Sequence, residues 1–132
     1  MSRDPRKAES PETQGIEIER PQDGVSLLHV SGEWDLTNVA ELRRTLDEAF
    51  ETGHAVVLDL DQTRFVDSSV LLALATARQR TLSEDKVFVI RLGSEAVVRN
   101  ALRVAGLLKV LPVTNDLEAA LQIASSPHLT VE

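Results

Sequence analysis

Apolar and polar residues alternate at the start of this chain in the manner of a strand with one exposed face. Ile16 and Ile18 are each followed by a glutamate, and a period of two residues is the mark of a half-buried strand. Turn-forming residues at 21–24 then precede a second apolar run at Val25–Ser31. We therefore expect a β-hairpin at this end of the domain.

Helical and strand patterns alternate after the hairpin. Apolar residues at helical spacing predict a helix that Asn38 and Glu41 open as a capping box and Gly53 ends. Unbroken apolar runs at Ala55–Leu60 and Val87–Leu92 are typical of strands covered on both faces. The other predicted elements are a helix from Ser68 to about Leu82, a helix capped by Ser94 and ended by Gly106, a short strand at Leu108–Val113 and a final helix opened by Asn115 and Glu118. The helix after Ser94 is predicted to bury Val97, Val98, Ala101, Leu102 and Ala105.

This order predicts an α/β fold with a mixed sheet of about five strands and four helices, in which an N-terminal hairpin leads into alternating strands and helices. A length of 132 residues fits one domain. Residues Met1–Gln14 carry alternating charges with Ser and Pro and no apolar period, so we expect a flexible tail. The domain is predicted to span 15–125, with a frayed end at 126–132.

Charge and composition narrow the classes of function. The formal net charge is −7, whereas a nucleic-acid groove or an anionic membrane surface requires clustered Lys and Arg. The absence of Cys removes disulfides, thiolate metal sites and cysteine catalysis. The longest strongly apolar run, Val70–Ala75, is far shorter than a membrane span of about 20 residues. We expect a cytoplasmic protein whose partners are other proteins.

No set of residues in the chain has the pattern of an active site. His29, His54 and His128 are scattered, without metal-ligand spacing. Asp59 and Asp61 invite comparison with phospho-aspartate receivers, but the early strands lack the second acidic pair that holds Mg²⁺. No glycine-rich phosphate loop or nucleophile elbow is present. We therefore expect neither enzymatic activity nor a metal or cofactor.

In the most informative stretch, an apolar strand is followed by a short polar turn and then by a helix that begins at Asp67-Ser68-Ser69. A phosphate on a hydroxyl there would be stabilised by unpaired backbone N–H groups and by the helix dipole. The same residues have a simpler interpretation as helix caps. We favour capping for Asp67 over orienting a partner, and a helix-start position for Ser69 over a second acceptor.

The stretch from Asp59 through Phe65 to Ser69 resembles the phospho-acceptor segment of STAS domains, the fold of anti-sigma factor antagonists, except that Val70 stands where that family has glycine. Two further segments carry the resemblance. Residues 30–36 are similar to the family's Gly-Glu-x-Asp stretch, and residues 94–107 to its helix that ends in a Gly-Leu pair. Together they cover about 16–124.

The resemblance implies a switch. Unphosphorylated antagonists of this family bind an anti-sigma factor that is also a serine kinase, and phosphorylation breaks the complex. It places the acceptor at Ser68, with a phosphatase to reset it. Val70 stiffens and crowds the helix start, so we expect slow phosphorylation. The partner-binding residues would be Glu33, Trp34, Asp35, Asp67, Ser68, Ser69 and Val70.

Alternatives remain at several of these positions. Glu33 and Asp35 could rim a protein-binding face or cap a strand end, and Trp34 could anchor a partner or lie in the core. The competing function is a non-switching STAS scaffold, a subunit of a transporter or of a multiprotein signalling assembly, in which the helix beginning at Ser68 docks permanently.

Overall fold

The computed structural model describes residues 13–125, and the predictions for Met1–Glu12 and for 126–132 lie outside this part. The elements in chain order are β1 (Gly15–Gln22), β2 (Val25–Trp34), α1 (Val39–Thr52), β3 (Ala55–Leu60), β4 (Thr63–Val66), α2 (Ser68–Glu84), β5 (Val87–Leu92), α3 (Ala96–Val104), a 3₁₀ turn (Leu107–Lys109), β6 (Val113–Thr114) and α4 (Leu117–Ser125).

The strands form one mixed sheet in the order β1-β2-β3-β5-β6, and β4 joins the far end of β2. β1 is antiparallel to β2, as a tight hairpin requires, and the remaining pairs are parallel. Helices α1, α2 and α3 connect successive parallel strands. The predicted α/β class, with an N-terminal hairpin and a mixed sheet, is confirmed.

Both faces of the central strands are covered, which explains their unbroken apolar runs. Leu28, Leu58 and Ile90 lie side by side in register and belong to the larger core beneath α1, α2 and α3. Leu27 and Val57, one residue before their larger-core neighbours, face the smaller core that α4 covers. The sheet thereby separates α4 from the other three helices.

β4 was predicted as part of a polar turn, and this is wrong for Thr63–Val66. These residues pair with β2 at Gly32–Trp34. Thr63 is fully buried, and its hydroxyl is satisfied there by donating to the carbonyl of Val30 at 2.7 Å. A satisfied threonine can replace an apolar side chain in a core, so the hydropathy pattern did not indicate a strand here.

The strand predicted at Leu108–Val113 is wrong for most of its length. Residues Leu107–Lys109 form a 3₁₀ turn, and only Val113 and Thr114 pair with β5. The helical turn brings Leu107 and Leu111 to the same side, where both are buried in the larger core. Spacing of four residues between these two leucines favours a turn over a strand.

α3 begins later than predicted. Fewer of its residues face the core than their helical spacing predicts. Ser94 does not cap it: Glu95 occupies the N-cap position, and no side-chain capping bond is formed there. Val98 and Leu102 are buried, but Val97 is 50% exposed. Gly106 adopts the left-handed conformation expected after the helix, with φ of 81°.

Gln14, the last residue of the expected tail, forms two hydrogen bonds with β2. Its side-chain Nε2 donates to the Glu33 carbonyl at 2.8 Å, and its Oε1 accepts from the Glu33 N–H at 2.9 Å. The amide thus extends the pairing of β1 with β2 by one side chain. A polar residue with two backbone partners leaves no trace in a hydropathy pattern.

Candidate functional site

Ser68 is the first residue of α2, directly after the short link from β4. It is exposed. Within residues 13–125, no side chain or backbone group forms a hydrogen bond with its hydroxyl. The hydroxyl is therefore open to solvent at the positive end of a 17-residue helix.

Asp67 is the N-cap of α2, as predicted. Its Oδ1 accepts from the backbone N–H groups of Ser69 at 2.9 Å and Val70 at 3.2 Å. Its own backbone N–H donates to the Trp34 carbonyl at 3.2 Å. Because Asp67 supplies the cap, capping does not account for the presence of a hydroxyl at Ser68.

Ser69 differs from Ser68 in its environment. Its Oγ donates to Asp67 Oδ1 at 2.6 Å, and its side chain is half-buried. A group attached to this oxygen would displace that bond. The neighbouring hydroxyls are therefore not equivalent, and only Ser68 is both exposed and unengaged.

The loop between β2 and α1 is tied to the same carboxylate. Asp67 Oδ2 accepts from the Leu36 N–H at 3.1 Å. The loop is further held by Asp35, whose Oδ1 accepts from both the N–H and the hydroxyl of Thr37. Asn38 does not cap α1 as predicted, since its side chain instead bonds the Asp35 N–H and the Glu33 carbonyl. The loop is rigidified by these local bonds.

Two leucines flank Ser68 on the exterior. Leu36 is 74% exposed at the tip of the loop, and Leu72, one helical turn after Ser68, is 60% exposed. Apolar side chains this exposed next to a polar site favour protein contact. We call Leu36, Asp67, Ser68 and Leu72 the Ser68 surface. Sequence reasoning missed both leucines, although a leucine inside the polar Asp-Leu-Thr-Asn turn is a signal that could have found the first.

Two of the predicted partner-binding residues lie in the core. Trp34 is 1% exposed and its Nε1 donates to the Ser31 carbonyl at 2.9 Å, while Val70 is 2% exposed. Neither side chain can contact a partner, so both predictions are corrected. Nor does Val70 crowd the Ser68 hydroxyl from outside, because its side chain packs into the larger core. Glu33 is exposed and Asp35 half-buried at the edge of the Ser68 surface.

Hydrogen bonds hold the pKa of Asp67 below its ordinary value of 3.8. The Ser69 hydroxyl lowers this pKa most; partial burial opposes it, and the backbone N–H groups of Val70, Leu36 and Ser69 lower it further. The carboxylate is therefore ionised at neutral pH. A phosphate on Ser68 would lie beside a fixed negative charge.

This lowered pKa predicts a pH dependence of stability. A carboxyl whose pKa falls on folding stabilises the native state fully above its unfolded value, and the stabilisation disappears as pH falls through the folded value. Asp67→Asn, which keeps an acceptor but loses the charge, should be less stable than wild type at pH 7 and 5. The difference should shrink below about pH 4. Urea unfolding at pH 7, 5 and 3 measures it, with the exposed turn variant Asp23→Asn as control. A difference that persists unchanged at pH 3 would contradict the proposed ionisation.

Away from the Ser68 surface, three polar side chains on neighbouring strands of the sheet contact one another. Asp59 is 5% exposed, and its carboxylate contacts His29 Nδ1 at 2.8 Å and the Arg91 guanidinium at 3.0 Å. Among residues 13–125, no three His, Asp or Glu side chains are grouped so as to hold a metal ion. In the same residues, no helix combines the length and apolarity needed to cross a bilayer.

Proteins of known structure share this architecture. An anti-sigma factor antagonist from Mycobacterium paratuberculosis matches with 26% identity and a TM-score of 0.76, over 89% of this chain and 98% of the other. The phosphorylated form of SpoIIAA, a Bacillus cell fate determinant, shares the fold at 15% identity and TM-score 0.64, over 83% and 99%. A sulfate transporter family protein from Wolinella succinogenes does so at 19% and 0.68, over 80% and 88%.

No curated protein matches the chain by sequence. The family model for the STAS domain, however, matches residues 17–120, which include the Ser68 surface and all of the sheet except the first two residues of β1. The chain belongs to the STAS domain family.

Proposed function

We propose that this protein is an anti-sigma factor antagonist that binds an anti-sigma factor with serine kinase activity through the Ser68 surface. Phosphorylation of Ser68 by that kinase releases the partner. The observation that carries the proposal is the contrast between two adjacent hydroxyls: Ser68 is exposed and unengaged, whereas Ser69 is bound to Asp67.

The surroundings of Ser68 fit a charge switch. A phosphoserine carries close to two negative charges at neutral pH. The N-terminus of α2 stabilises such a group in the free protein. In a complex it would lie between the exposed Leu36 and Leu72 and beside the ionised Asp67. A partner that buries these leucines would have to desolvate the phosphate, so the same modification that the free protein tolerates would weaken the complex.

The relatives support this assignment by analogy. The Mycobacterium protein is an anti-sigma factor antagonist, and SpoIIAA has been observed in a phosphorylated form. In our proposal this chain acts in the same way in the cytoplasm and frees a sigma factor when unphosphorylated. A serine phosphatase resets the switch, and the protein itself performs no chemistry.

A second function is favoured by the similarity to the sulfate transporter family protein. In that case the domain would be a permanently docked scaffold, and Ser68 would remain unmodified. The two functions differ in what ATP does: it dissociates the complex of a switching antagonist and leaves that of a scaffold intact.

The test begins with the partner captured by the immobilised full-length protein. The complex is incubated with ATP, and the phosphorylated residue is located by mass spectrometry. We expect phosphate on Ser68 and release of the partner, with both lost in Ser68→Ala and retained in Ser69→Ala. Modification of Ser69, or a complex that persists through ATP without modification, would contradict the proposal.

A further inference from the structure

A second surface, on α3, has features that the proposed switch does not use. A shallow, open depression of about 610 Å³ lies on the outer side of this helix. We call it the α3 groove, and it is lined by Ala96, Val97, Arg99, Asn100, Arg103 and Leu108. None of these residues belongs to the Ser68 surface.

Part of the groove is apolar in a position where a helix normally presents polar side chains. Val97, in the groove, is 50% exposed, and Val104, which is not part of the lining but follows it by seven residues on the same side of α3, is 73% exposed. The inward-facing residues Val98 and Leu102 already anchor α3 in the core. Much of the surface of the two outer valines is therefore left uncovered by the domain, which is typical of a contact surface.

The groove is positively charged although the chain as a whole is strongly acidic. Arg99 and Arg103 are one helical turn apart and both exposed. In the described part of the chain neither guanidinium forms an ion pair, and Glu95, four residues before Arg99, is not bonded to it. Arg103 instead donates to the Asn100 side chain. By contrast, Arg80 and Arg91 are paired with carboxylates of the domain.

We propose that the α3 groove binds an acidic amphipathic helix of a partner protein. Carboxylates spaced one turn apart on that helix match the spacing of Arg99 and Arg103, and its apolar side chains cover Val97 and Leu108. Charge complementarity sets this choice of occupant, because a basic or neutral helix would leave two guanidiniums unpaired at the contact. The inference goes beyond the Ser68 switch and does not depend on it.

The probe for this surface is a synthetic 18-residue helical peptide with a leucine face bordered by glutamates one turn apart. Titrated into ¹⁵N-labelled full-length protein, it should shift the backbone resonances of residues 96–108. Arg99→Glu/Arg103→Glu should weaken binding about tenfold or more, whereas Arg43→Glu/Arg44→Glu, with the same charge change on exposed residues of α1, should not. Raising the salt concentration from 50 to 300 mM should also weaken binding.

Charge reversal provides the decisive comparison. A matched peptide with lysine at every glutamate should fail to bind wild type and should bind Arg99→Glu/Arg103→Glu. Ser68→Asp should bind the acidic peptide with unchanged affinity, so failure of the phosphorylation switch would leave this result intact. Equal binding of the two peptides to wild type would overturn the proposal, as would resonance shifts centred on Leu36 and Leu72.

Discussion

Replacing Ser68 with aspartate is expected to lower the affinity for the proposed anti-sigma partner by about a hundredfold, equivalent to roughly 2.8 kcal/mol. The substitution places a permanent charge between two exposed leucines and next to the ionised Asp67. Like charges brought together in an interface cost several kcal/mol, and a charge buried without a partner adds its desolvation. Isothermal titration calorimetry with the purified partner measures the change.

Gln79→Glu is the matched control. It adds one negative charge to an exposed position on the same helix, 11 residues from Ser68, or about 16 Å along the axis. The affinity of Gln79→Glu for the partner should equal that of wild type if the position of the added charge matters, rather than the total charge of the protein. Thermal unfolding should show that Ser68→Asp retains the fold, because aspartate is favourable in the first turn of a helix. Equal affinities of Ser68→Asp and wild type would rule out the switch.

The start of α2 and its cap could be predicted because their information is local. Asp67 caps α2 through bonds to residues two and three positions later, and such short-range capping is encoded by the residue types themselves. The hydrogen bond between Asp67 and Leu36, in contrast, joins residues 31 positions apart in the sequence. It depends on β4 lying beside β2, which places the loop before α1 next to the start of α2. No local pattern encodes that neighbourhood.

The same distinction explains the errors in the fold. The central strands were predicted because both of their faces are apolar, whereas β4 is short and places a hydrogen-bonded threonine in the core. Helical spacing predicted α3 but could not say that Val97 points outward. That outcome is set by how α3 rests on β4. Trp34 was similarly ambiguous, because its burial follows from tertiary packing.

Val70 shows that a departure from a family pattern can have more than one structural interpretation. Beside an acceptor serine, a β-branched residue in place of glycine suggests restricted access to the hydroxyl. In the structure, Val70 is 2% exposed and part of the larger core, while Ser68 faces solvent. Successive helical residues point in different directions. The Val70 side chain therefore contributes mainly to the stability of the start of α2.

Val70→Gly is accordingly expected to reduce the free energy of unfolding by about 2–3 kcal/mol. Most of the loss comes from the emptied core position, and the remainder from glycine in a helix. Leu72→Gly separates the two, because Leu72 lies on the same helix but is 60% exposed, so its loss should stay near 1 kcal/mol. Urea unfolding of both variants measures the difference. Equal losses would mean that Val70 contributes little packing.

The rate of Ser68 phosphorylation, compared under conditions where both proteins are folded, should be similar in wild type and Val70→Gly, since the valine does not cover the hydroxyl. A markedly faster glycine variant would restore the view that this residue restrains the kinase.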